Sequence, residues 1–131
     1  MKGVWIGTAT FAAAALGALA LVTGGAGDAP RQDRAAALPE ALQGTWVEVD
    51  EAQSVMTIAG GEITAFGAVV DYGGKTAFEE DGVLIVQLYA PPGVDADTFA
   101  QAHMTDLALL PDGTLHVFNV SFAAPFVRAA D

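Results

Sequence analysis

Val83-Leu84-Ile85-Val86-Gln87-Leu88-Tyr89-Ala90 is the stretch that decides the fold class. Its branched and aromatic side chains suit a pleated strand. Asp81-Gly82 before it is a hairpin signal, and Pro91-Pro92 after it ends the run. Alternation puts Leu84, Val86 and Leu88 on one face and Val83, Ile85, Gln87 and Tyr89 on the other. Both faces are substantially apolar.

The same texture extends outward in both directions. Upstream lies a short strand, Lys75–Glu79, behind Gly73-Gly74. Before that is a long run, Glu62–Tyr72, whose Gly67 marks a bulge or bend. In that run Ile63, Ala65, Gly67 and Val69 share one face. Gly60-Gly61 is a turn that separates it from Ser54–Ile58, and Thr45–Val49 is the first strand. Downstream, Thr105–Leu110 and Thr114–Val120 flank Pro111-Asp112-Gly113, which has the chemistry of a tight turn. Ser121–Arg128 gives a last strand, in which Pro125 signals an edge or a bulge. The one helical candidate is Asp95–His103, with Asp95 or Asp97 as its cap.

Strands of about 7–8 in number, short and joined by tight turns, predict an all-β domain over 42–131. It is expected as a small antiparallel meander barrel or a sandwich, preceded by one N-terminal hydrophobic helix. A small barrel has only one dry side. The second apolar face therefore needs a cover, from the N-terminal segment, another sheet or another subunit, the last being a hint of self-association as a homo-oligomer.

The N-terminus reads as an address. Lys2 precedes nineteen residues, Val4 to Val22, without a charge. Small residues follow, in the layout of a secretory signal. The run exceeds the ~7–15 residues usual for a cleaved signal and approaches the ~20 of a membrane helix. Alanine, glycine and threonine dilute it, and Gly24 to Ala26 offers cleavage positions. Residues 1–26 are thus a signal peptide, or alternatively a membrane anchor, and the domain is exported to the periplasm or the exterior. By composition, 27–41 is a flexible linker.

The chain has 131 residues, a formal net charge of −11 and no cysteine. Without cysteine there is neither a disulfide framework nor a lipid-anchored processing site. From Leu38 onward only Lys75 and Arg128 are strong bases, against fourteen acids. Such a surface repels nucleic acid and anionic headgroups. Contact with a membrane is left to an uncleaved N-terminal segment.

Motifs for catalysis are missing. The chain has no cysteine nucleophile, no G-x-S-x-G, no phosphate loop, no dinucleotide fingerprint and no H-E-x-x-H. Neither a cofactor nor a metal site is expected. His103 and His116 lie on opposite sides of the 111–113 turn, too far apart in the hairpin to share a metal. His116 is the candidate base in the alternative that the domain is a small hydrolase or metal-dependent enzyme. Ser121 and Asp106 supply the other residue types of a triad, but no spacing selects them.

Gly44-Thr45-Trp46 opens the first strand of the domain and Arg128 closes the last. A G-x-W there, with an arginine near the chain's end, resembles the lipocalin and wider calycin pattern. The resemblance implies a barrel whose floor is closed by the arginine packed across the tryptophan. It covers two short motifs and the meander texture, and the domain is shorter than a full lipocalin. The function expected is binding of a small apolar ligand or a protein partner in the cell envelope, without catalysis. Trp46, Met56, Phe66, Tyr89, Phe118 and Phe126 are the candidate cavity residues, as apolar side chains at strand positions. A structural or oligomeric interaction module is the alternative.

Overall fold

The computed structural model describes residues 29–129. The signal or anchor at 1–26 and its hydrophobic helix lie outside the described residues. The rest is all-β: one antiparallel sheet of ten strands, curled into a half-barrel. The strands are β1 (Gln32–Asp33), β2 (Gly44–Glu48), β3 (Glu51–Ala59), β4 (Glu62–Ala65), β5 (Ala68–Val69), β6 (Gly74–Glu80), β7 (Val83–Tyr89), β8 (Asp106–Leu109), β9 (Leu115–Phe118) and β10 (Ala123–Arg128). Their order across the sheet is β1-β6-β7-β8-β9-β10-β2-β3-β4-β5. The last strand therefore lies beside the first strand of the domain, with Arg128 opposite Trp46.

The strand count exceeds the expected one for two physical reasons. The long run Glu62–Tyr72 is not a single bent strand. Thr64 pairs with Val69 and Ala65 with Ala68, so Phe66-Gly67 is a two-residue hairpin turn. Both residues have positive φ, 54° and 82°, the geometry that fits the twist of a tight hairpin. The reversal also breaks the expected face: Ile63 and Ala65 are buried, whereas Val69 is exposed. The other addition is β1, inside the segment that composition marks as linker. There Gln32 and Asp33 pair with Lys75 and Gly74, and Leu38 is buried. Pro125 does not mark an edge. It sits in an inner strand opposite His116, beside a register irregularity at Val47/Glu48 of β2.

The concave side is filled. Trp46, Met56, Ile58, Ile63, Leu107, Leu115, Val117 and Phe126 form one contiguous core with Leu38, Leu42, Val86 and Leu88. The short helix α1 (Ala96–Ala102) adds Phe99, and Met104 follows it into the core. Asp95 caps α1, accepting from the N–H groups of Asp97 and Thr98. Among the described residues no helix is long and apolar enough to cross a membrane.

One gap in the curl is spanned by residues 31–42. Leu38 N–H donates to Gly60 O, and Gln43 bonds both Leu38 O and the Gly60 backbone. Lys75, fully buried, donates from Nζ to Asp33 O at 2.7 Å, Ala36 O at 2.5 Å and Arg34 O at 3.3 Å. Burial pushes this ammonium below the usual lysine range, with Asp33 opposing. The buried Tyr72 hydroxyl donates to Gly61 O, and burial holds its pKa above the ordinary value. Arg34 reaches Asp71 and Glu62 from the strap's outer side.

Candidate functional site

The two ends of the half-barrel differ. At the floor, the Arg128 guanidinium lies 4.2 Å from the Trp46 ring centroid. It donates to Gln43 O at 2.6 Å and Ala41 O at 2.7 Å, while Trp46 Nε1 donates to Leu42 O. Gly44 completes the arrangement. Its φ is +120°, and a Cβ there would stand 2.9 Å from Arg128 Nη1. The glycine makes room, the indole offers a face, and the arginine ties strand β10 to the 3₁₀ turn at Glu40–Leu42.

The opposite end is open and apolar. A cleft of about 240 Å³ lies between the β4–β5 turn, the end of α1 and the loop entering β10. Phe66, Val69, His103, Met104 and Phe122 are among its walls. Phe66 is 52% exposed and Val69 50%, and Val120 on the same loop as Phe122 is 75% exposed. The Phe66 ring meets Phe122 edge-on at 5.9 Å and the buried Phe126 at 6.1 Å. Phe66 is thus a half-exposed cap over the core.

Its backbone is costly. A residue with a Cβ at φ 54° costs roughly 1–2 kcal/mol relative to the right-handed regions, and only Gly, Asn and Asp go there readily. Asparagine or glycine is the ordinary choice at this turn position.

The residues expected to line a cavity separate into three groups. Trp46, Met56 and Phe126 point into the core but are packed there, without solvent exposure beyond 1%. Tyr89 and Phe118 occupy the outer face of the sheet. Tyr89 shares a hydrogen bond with Thr76 and carries the Arg31 guanidinium 4.4 Å from its ring; Phe118 pairs with Asp106. Phe66 alone reaches the cleft. Val69 and Phe122 were not singled out by sequence, and His103 was weighed only for metal or catalytic chemistry; exposed valine and phenylalanine in turn segments were the available signal.

The histidines stay apart. His103 ends α1 with its ring 5.2 Å from Phe99, and its carbonyl accepts from Asn119. His116 lies on β9 opposite Ala108 and Pro125. Burial pushes its imidazole below the ordinary value, and the Asp112 carboxylate pulls it back up. Ser121 donates its N–H to Asn119 Oδ1 in the loop, and Asp106 accepts from Thr105. No group of three or more metal-ligating side chains converges among the described residues.

No family model, curated protein or solved structure matches the chain.

Proposed function

We propose that this is a non-catalytic binding domain, exported by its N-terminal segment, that holds an apolar group of a protein partner in the cleft under Phe66. The observation that carries this is Phe66 itself: an aromatic side chain half exposed at positive φ, edge-on to Phe122 and above the core. The edge contacts to Phe122 and Phe126 offset the backbone cost within the fold, and the exposed half of the ring is left for a contact outside it.

Because the interior is filled, the reading takes the mouth of the half-barrel, not its axis, as the binding site. A cleft of about 240 Å³ is smaller than the roughly 300–1,000 Å³ of sites that enclose a drug-sized ligand. It has room for one large side chain presented by a partner, and the exposed Val69, Val120 and Phe122 extend the contact. The stack of Arg128 on Trp46 supports the lipocalin-like reading of the floor, while a wide ligand cup has no support from the packed core.

A neutral apolar fluorophore, N-phenyl-1-naphthylamine, tests the site. Saturable binding by the native chain, lost in Phe66→Asn, is the expected result. Binding that survives the substitution unchanged places the apolar site elsewhere and ends this reading.

A further inference from the structure

We propose that the partner segment is cationic: an apolar anchor side chain flanked by lysine or arginine. This rests on the mouth being the binding site, and it follows from where the charges go.

The described residues hold four strong bases, and each is used away from the mouth. Arg31 covers Tyr89, Arg34 pairs with Asp71 and Glu62, Lys75 is caged by carbonyls, and Arg128 closes the floor. The β2–β3 turn, which lies beyond the residues lining the cleft, carries the opposite sign. Glu48 is the strand partner of Phe126, whose ring touches Phe66. The β2–β3 turn continues with Asp50 and Glu51, both exposed, and Val49 N–H ties that turn to Pro125 O. None of these three carboxylates has a cation partner among the described residues, where the ion pairs are both Arg34's. His103 is the one basic side chain on the cleft wall.

An apolar cleft with unneutralised carboxylates on a neighbouring turn selects by charge as well as by shape. Acidic segments are repelled as they approach, and basic ones are drawn in and gain contacts that need no rearrangement of the domain. The net charge of −11 extends that bias beyond contact distance.

Isothermal titration of the full-length chain with two synthetic heptapeptides tests this. Both carry a central tryptophan; one has lysine flanks and the other glutamate flanks. The lysine peptide is expected to bind about tenfold more tightly at ~0.05 M salt, with the gap closing near ~1 M salt as screening shortens the range of the charges. The gap also closes in a Glu48→Gln, Asp50→Asn, Glu51→Gln variant. Should that variant fail to fold, the salt series on the native chain decides alone. Equal affinities for both peptides, each lost in Phe66→Asn, overturn the cationic partner and leave the mouth as the site. Binding indifferent to Phe66→Asn, or no binding of either peptide, overturns both.

Discussion

At the scale of single residues, two side chains sit against their local preference and each allows a sharp measurement. Phe66 trades strain against packing. Asparagine at φ 54° removes most of the roughly 1–2 kcal/mol backbone cost, and losing the edge contacts to Phe122 and Phe126 costs roughly 0.5–1.5 kcal/mol each. The two nearly cancel, so Phe66→Asn is expected to change unfolding free energy by less than about 1 kcal/mol. Phe66→Ala loses the packing and keeps the strain, and it should fall about 1–2 kcal/mol below Phe66→Asn in urea unfolding. Equal stabilities would show that the turn is not strained. His116 allows a pH measurement. Its folded pKa lies below 6.5 because burial disfavours the imidazolium. On acidification the unfolded chain takes the proton first. Stability is therefore full above 6.5 and falls as the pH drops through the window between the two values. A proton-NMR titration should place the His116 midpoint below 6.5. Asp112→Asn should move it lower still, because the carboxylate is what pulls it up. In that variant the side-chain oxygen can still accept from Thr114 N–H.

Among the elements, the strap at 31–42 is the one that composition misplaces, and the reason is chemical. Besides the side chains of Leu38, Leu42 and Arg34, its anchor is its carbonyls, gripped by Lys75 about forty residues away. Main-chain acceptors carry no residue code, so glycine, proline and charge read as linker. Lys75→Met takes a donor from those carbonyls and from the Tyr72 hydroxyl, although Asp33 O keeps the Ala36 N–H and Arg34 O the Tyr72 hydroxyl. Buried acceptors left unpaired cost about 1–3 kcal/mol each, partly offset by no longer desolvating an ammonium, for a net loss of about 2–4 kcal/mol. Hydrogen exchange should show the Leu38 amide losing protection before the sheet does. Gly61→Ala attacks the same strap from the other side: its Cβ would collide with Arg34 O and stand 2.7 Å from Ala36 O, both backbone atoms. It should therefore loosen the same segment. Protection of Leu38 at the level of the sheet in both variants would mean that the strap is held by something else. The turns at Asp81-Gly82 and Pro111-Asp112-Gly113, by contrast, were legible, because their residues are chosen for turn geometry. Phe66-Gly67 was not, because phenylalanine at positive φ is no one's turn signal.

For the whole molecule, size and strand position picked six candidate cavity residues but told neither which face each takes nor whether the space it faces is empty. Trp46, Met56 and Phe126 lie in the packed core, whereas Tyr89 and Phe118 lie on the outer face. Gly44-Thr45-Trp46 and Arg128, two motifs at the ends of the domain, meet across adjacent strands. That closure makes a test at the largest scale. Arg128 joins the last strand to the segment before the first through two carbonyls that its planar fork reaches at once. Alanine there forfeits the guanidinium–indole contact, worth roughly 0.5–2 kcal/mol, and two charge-assisted bonds in a partly solvated site, for a total of about 2–3 kcal/mol. Lysine keeps the charge but has no fork and stacks poorly on an indole face. If geometry rather than charge closes the floor, Arg128→Lys lies nearer to Arg128→Ala than to the native chain in thermal unfolding. Both variants should also speed exchange at Leu42, whose N–H bonds Pro39 O in the turn that Arg128 holds down. A lysine variant as stable as the native chain would show that a positive charge suffices, and the glycine at 44, with its room for a guanidinium, would lose its explanation.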